Sequence, residues 1–278
     1  MKNTFPFYNK GHPYNQDMNL DLTGKRALVC GSSQGIGRAA AMELALMGAS
    51  ITLVARNEVK LKDVIEHLPA DDTESHHYLV VDFSYPDQLK LALDEYLKDH
   101  SIDILINNTG GPPGGQAIDA DPDEFIKAFN SHLICNQILA QAVTPAMKEE
   151  GFGRIINVIS TSVKTPLAGL GVSNTIRGAV ASWAKTLSLE LAPFGITVNN
   201  ILPGFTMTAR LESLINARVE KESSTFEQVK QQMIEGIPAR RIGEAQEVAA
   251  AIAFLASPAA GYINGINLPV DGGRTPTL

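Results

Sequence analysis

The chain of 278 residues reads as one doubly wound α/β domain, a parallel sheet with helices on both faces. Three observations predict it. Short β-branched runs recur and are largely apolar at consecutive positions, as strands buried on both faces must be. Stretches with apolar residues at helical spacing separate them. Nothing in composition resembles a linker and no segment repeats, so a single domain is expected over residues 18–278. Right-handed crossovers between such strands then wind the sheet in two directions.

The first strand is Arg26-Ala27-Leu28-Val29-Cys30, which stops at Gly31. Helical spacing follows over Gly37–Met47, then a strand at Ile51–Ala55 and a helix over Val59–Leu68. Tyr78–Val81, Ile102–Ile106 and Arg154–Ile159 are further buried-strand candidates, with helices near Pro86–Lys98 and Asp123–Glu149. A helix over Arg177–Ala192 leads into a strand at Thr197–Leu202. After Pro203-Gly204, the charge-rich and weakly apolar stretch 205–241 reads as a mobile helical lid over a substrate site. Residues 1–17 are polar and aromatic, broken by Pro6, Gly11 and Pro13, and lack the apolar core of a signal peptide. They are expected to form an N-terminal arm, either mobile or ordered against a neighbouring subunit.

Hydrophobic residues make up 44% of the chain and charged residues 19%, values of a folded globular protein rather than a disordered one. The net charge of −7 argues against nucleic acid as a main partner, since phosphate backbones are held by basic surfaces. No window approaches the roughly 18 consecutive apolar residues of a membrane helix, so no membrane partner is expected. The two cysteines, Cys30 and Cys135, offer neither a disulfide framework nor a zinc spacing. No metal is expected, and a reducing cytoplasm fits best.

Chemistry enters at the loop Cys30-Gly31-Ser32-Ser33-Gln34-Gly35-Ile36-Gly37. It lies between a strand and a helix, where a phosphate-binding turn of a Rossmann-type domain has to be. Gly31 permits the tight exit from the strand, Gly35 clears space for a diphosphate, and Gly37 lets helix and strand approach closely. Amides at the helix N-terminus then face the anion. At the end of the second strand an acidic residue would bind a ribose 2′-hydroxyl, whereas an arginine suits a 2′-phosphate. The sequence has Ala55-Arg56-Asn57 there, with no acid. Arg56 is expected to favour NADP(H) over NAD(H), with Ser32 and Ser33 as helpers; the alternative is a solvated arginine at a helix start.

The glycine loop, Val81-Asp82-Phe83, Asn107-Asn108-Thr109-Gly110, Pro203-Gly204 and Val270-Asp271-Gly272-Gly273 together resemble the short-chain dehydrogenase/reductases, in order and spacing, from about Leu20 onward. Within that family the chain looks most like bacterial 3-oxoacyl-[acyl-carrier-protein] reductase homologues. The resemblance implies that Asp82 and Phe83 hold the adenine and that Asn107, Asn108, Thr109 and Gly110 line the cofactor. It implies that the segment with Pro203, Gly204, Thr206 and Thr208 embraces the nicotinamide and the phosphates. It also implies a homodimer or homotetramer, with helices 123–149 and 177–192 paired across the interface.

The catalytic positions depart from the family. Its serine is present as Ser160, but counting forward along its motif places Ser173 where the tyrosine belongs and Arg177 where the lysine belongs. On the preceding helix His132 takes the asparagine position. A tyrosine donates the proton a reduced carbonyl needs when a lysine depresses its pKa; a serine hydroxyl is far less acidic, and an arginine keeps the charge without readily shuttling protons. Ser173 is either filler for a lost tyrosine or a direct participant. His132 is either a satisfied core histidine or a donor near neutral pH. Ser160 either serves backbone groups or orients a substrate carbonyl, and Arg177 is expected to contact cofactor or a carboxylate. The run Gly110–Gly115 is either a stiff loop or one wall of the substrate pocket. The leading expectation is an NADP(H)-dependent oxidoreductase acting on a carbonyl or hydroxyl group of a small molecule or an acyl thioester, such as a 3-oxoacyl thioester. The alternatives are a cofactor-binding homologue with a sensing or structural role, or other chemistry such as dehydration or epimerisation on the same scaffold.

Overall fold

The computed structural model describes residues 18–70 and 75–277. The expected arm, residues 1–17, lies outside the described residues. Seven parallel strands form one sheet: β1 (Arg26–Cys30), β2 (Ser50–Ala55), β3 (His77–Val80), β4 (Ile104–Asn107), β5 (Gly153–Val158), β6 (Ile196–Pro203) and β7 (Asn267–Val270). Their order is β3-β2-β1-β4-β5-β6-β7, so the chain winds outward from β1 to β3, crosses back to β4 beside β1, and winds the other way. Among the described residues, no helix is long and apolar enough to cross a membrane.

The helices are α1 (Gly35–Leu46), α2 (Glu58–His67), α3 (Pro86–Tyr96), α4 (Pro122–Phe129), α5 (Cys135–Glu150), α6 (Gly171–Leu191), α7 (Ala209–Glu222), α8 (Phe226–Glu235) and α9 (Ala245–Ala256). One buried layer joins α1, α2 and α9 to the sheet through Leu44, Leu61, Ile104 and Ile252. The opposite layer joins α3, α5 and α6 through Leu89, Leu139, Ile155 and Ala184. Continuous strand hydrophobicity is explained by these two layers, because each strand is covered above and below.

Four differences from the sequence pattern matter. The single helix expected over Asp123–Glu149 is divided by a π-turn at Asn130–Ile134, a local widening that no residue type announces. Helix α6 begins six residues before Arg177, at Gly171. A Cβ at Gly171 would lie 2.4 Å from the Ala117 amide nitrogen, so only glycine lets the helix start against that loop. Helix α9 and strand β7 have no counterpart in the sequence pattern. The α9 sequence is apolar almost all round because the helix is covered by α1 as well as by the sheet, and β7 carries Pro269, which a parallel sheet tolerates at an edge strand. The expected lid is helical: α7 and α8 close over a small core of their own, formed by Leu211, Ile215, Val229 and Met233.

Candidate active site

The winding reverses between β1 and β4, and at their C-terminal ends a cleft of about 310 Å³ opens. Crevices at such a reversal are where doubly wound sheets bind ligands. Gly31 leaves β1 at φ +60°, and a Cβ there would lie 2.6 Å from the Asn108 carbonyl oxygen. A Cβ at Gly37 would lie 2.3 Å from the Gly31 carbonyl oxygen, so helix α1 can approach the strand end only with glycine at 37, and Asn108 can approach it only with glycine at 31. Gln34, the N-cap of α1, makes no side-chain cap bond, and Gln34, Gly35 and Ile36 all line the cleft. Uncapped first-turn amides beside Gly31 and Gly35 fit the diphosphate of a dinucleotide.

Asn108 fastens this loop to β4: its Nδ2 donates to the carbonyls of Cys30 and Gly31 at 3.2 and 3.3 Å. Thr109 and Gly110 continue along the cleft. On the far side, Pro203, Gly204, Thr206 and Thr208 line it at the end of β6, where Thr208 Cγ2 would meet a Gly35 Cβ at 3.3 Å. Thr208 also caps α7, accepting from the Leu211 amide.

Three expectations for the cofactor side need correcting. Ser32 cannot help a phosphate, because it is fully buried and its Oγ accepts from the Val54 amide at 3.0 Å. Phe83 can reach an adenine only through its backbone, because its side chain is packed in the core under α3 and α5. Asn107 is buried and points along the sheet rather than into the cleft, giving its Nδ2 to Asn157 Oδ1 at 2.8 Å. Ser33 lies outside the cleft lining. Arg56 extends into solvent at the end of β2, 79% exposed, with Asp82 4.0 Å away.

Ser160, Ser173 and Arg177 line the same cleft as the glycine loop. Ser160 follows β5 and its Oγ accepts from the Ser162 amide at 3.1 Å, which leaves its own proton to donate. Ser173 and Arg177 stand one helical turn apart on α6, and both face the cleft. The Ser173 hydroxyl has no hydrogen-bond partner among the described residues. Arg177 is 7% exposed; its guanidinium donates to the Val158 carbonyl at 3.1 Å and to the Thr109 carbonyl at 3.4 Å. Burial and the nearby Arg210 cation push its pKa down to about 10, so it stays charged at neutral pH.

His132 is corrected too. It sits in the π-turn, 2% exposed, hydrogen-bonded to the backbone of Gly110 and beside Arg177. Burial first, then the Arg177 cation, hold its pKa down at about 2. The ring is therefore neutral at physiological pH and supplies no imidazolium proton; the core reading is the one the structure supports.

Known proteins match this arrangement along its length. The family model described as Enoyl-(Acyl carrier protein) reductase matches residues 31–275. The 3-oxoacyl-[acyl-carrier-protein] reductase of Haemophilus influenzae is 34% identical over 253 residues, covering 91% of this chain and 98% of that protein. The chain belongs to the short-chain dehydrogenase/reductase family. It is an oxidoreductase of that type, and nicotinamide dinucleotide is its cofactor class. The NADPH-dependent reductase BacG of Bacillus subtilis is 30% identical over 259 residues, covering 92% of this chain and all of that protein. Among solved structures, L-sorbose reductase of Gluconobacter frateurii, complexed with NADPH and L-sorbose, superposes with a TM-score of 0.88 at 28% identity, over 94% of this chain and all of that one.

Several residues of the cleft carry no signal in the sequence. Leu167 and Leu170 form an apolar wall, held in place because Asn174 pairs with both the amide and the carbonyl of Leu167 at 3.3 and 2.8 Å. The glycine run 110–115 supports that wall through Gly115, whose amide donates to Gly169 at 2.8 Å. Arg210, in the first turn of α7, and Arg274, whose guanidinium stacks 4.3 Å over the Phe205 ring, also line the cleft. These contacts join segments far apart in the chain, which local pattern does not report.

Proposed function

We propose that this protein is an NADPH-dependent reductase of a carbonyl compound, or the reverse dehydrogenase, with Ser160, Ser173 and Arg177 as its reacting-end residues. The carrying observation is that two serines and one buried guanidinium without a carboxylate partner line the cleft that the glycine loop also lines. A bound nicotinamide supplies the hydride for the carbonyl carbon. As the carbonyl π-electrons move onto oxygen, Ser160 donates a hydrogen bond to it. The Arg177 charge stabilises the oxyanion, in a site where such charge acts through a low dielectric. Ser173 Oγ passes a proton from water to that oxygen, since neither a tyrosine nor a charged His132 is there to give one. Leu167 and Leu170 exclude water from one side.

NADPH rather than NADH follows from Arg56 at the β2 end, where no carboxylate replaces it; the naming of BacG as NADPH-dependent and the NADPH complex of L-sorbose reductase support the same choice. A 3-oxoacyl thioester is one candidate substrate, on the likeness to the Haemophilus influenzae reductase.

The test is to titrate the purified protein with NADPH and NADH, wild type and Arg56→Gln, then to follow NADPH absorbance with a panel of ketones, oxo acids and 3-oxoacyl thioesters. The expected result is tighter NADPH than NADH binding in wild type, a NADPH Kd raised about tenfold in Arg56→Gln, and turnover that falls at least 100-fold in Ser160→Ala. Tight NADPH binding with no turnover of any panel member would favour the second reading, a cofactor-binding homologue without dehydrogenase activity, which the missing proton donor makes specific.

A further inference from the structure

The chain carries a net charge of −7, yet its cleft is lined by Arg177, Arg210 and Arg274 and by no aspartate or glutamate. Elsewhere Arg26 meets Asp103, Arg218 meets Glu222 and Arg241 meets Glu247, while Arg154 and Arg240 bond to backbone carbonyls outside the cleft. The cleft arginines meet no carboxylate among the described residues. Arg177 spends two of its donors on the Val158 and Thr109 carbonyls, and Arg210 spends one on the Pro112 carbonyl at 2.7 Å. Neutral carbonyls fix the direction of a guanidinium without cancelling its charge.

The two groups also approach one point. A Cβ placed on Gly111 would lie 3.9 Å from Arg177 Nη2 and 3.8 Å from Arg210 Nη2, so both guanidinium ends border one small space at that glycine. Two cations around a shared, partly dry space repel, and the Arg210 cation adds to burial in lowering the Arg177 pKa. An anion between them removes that repulsion and takes up the remaining donors in bidentate geometry. Leu167, Leu170 and Leu214 line the same cleft and suit a short apolar portion.

Resting on the reductase reading above, we propose that the substrate is a small oxo- or hydroxy-carboxylate, its carboxylate held between Arg177 and Arg210 at Gly111. This makes Arg210 a specificity-determining residue of the lid helix. A competing anion, the cofactor diphosphate, has its own place at the uncapped α1 amides.

The experiment uses acetoacetate, 2-oxobutanoate and 2-oxoglutarate, each against its methyl ester. Binding to the NADP⁺-saturated protein is measured by calorimetry and turnover by NADPH absorbance. At least one acid is expected to bind tenfold or more tightly than its ester. Arg210→Gln is expected to weaken that acid about tenfold, leave the ester and the NADPH Kd within twofold, and be partly rescued by Arg210→Lys. Equal binding of acid and ester, no binding of any acid, or a weakened NADPH Kd in Arg210→Gln overturns the proposal; the last result assigns Arg210 to the diphosphate. Acids that bind through Arg210 without turnover leave this inference standing and remove the reductase reading. Turnover of esters alone does the reverse.

Discussion

His132 shows how much one environment changes a residue's chemistry. An imidazole in solution titrates near pH 6.5, while here burial and the Arg177 cation hold the pKa at about 2. The unfolded chain therefore binds a proton that the folded one refuses between those values, and folding loses stability as pH falls below about 6.5. Each pH unit in that window costs up to about 1.4 kcal/mol from this group. His132→Asn has no such group, so its urea midpoint should fall less than that of wild type between pH 7 and 5. Equal pH slopes would contradict the neutral buried ring. The same reasoning predicts that kcat/KM shows no inflection near 6.5 assignable to His132. Ser160, Ser173 and Arg177 were legible in the sequence as positions. The direction of the Ser32 side chain is not written locally, because it depends on β2, whose Val54 amide donates to the Ser32 hydroxyl.

Strands β4 to β7 carry a device the sequence shows only once register is known. Asn107, Asn157, Asn200 and Asn267 stand side by side across the sheet, and their amides bond in series at 2.8, 2.9 and 2.8 Å. Asn157 is fully buried and both gives and accepts. Asn157→Leu would leave the Asn107 donor and the Asn200 acceptor buried without partners, a cost of about 2–4 kcal/mol. Urea unfolding measures it; a loss below about 1 kcal/mol would mean that the ladder is not a stabilising unit. Because the ladder crosses the strand ends that carry Asn108, Ser160 and Pro203, its loss should also raise the NADPH Kd. Element starts and ends were harder to read than elements themselves. Helix α9 lacks an amphipathic period because it is covered on two sides, and β7 hides behind Pro269.

At the scale of the molecule, acidic surface and cationic cleft are separated. The negative total charge keeps nucleic acid unfavoured, while the arginine-lined crevice concentrates positive potential where small anions enter. The helices expected to meet a second subunit leave large apolar side chains in water: Ile126 of α4 is 57% exposed and Leu189 of α6 is 68% exposed. A homodimer or homotetramer is therefore expected, and sedimentation at micromolar concentration checks it. Replacing both residues by lysine should move the protein toward monomer; a monomeric wild type would refute the expectation.

The sequence by itself determined the doubly wound sheet, the glycine cradle and the positions that depart from the family's catalytic set. Those features are local: strand hydrophobicity, glycine spacing and motif intervals are written in neighbouring residues. Tertiary structure alone decided which polar groups are free. Packing took Ser32, Asn107 and the Phe83 ring away from the cleft, turned His132 into a neutral core group, and brought Arg210 of α7 and Arg177 of α6 near Gly111. Burial, charge proximity and hydrogen-bond completion are properties of distant segments in contact, and they set the chemistry that the glycine loop leaves open.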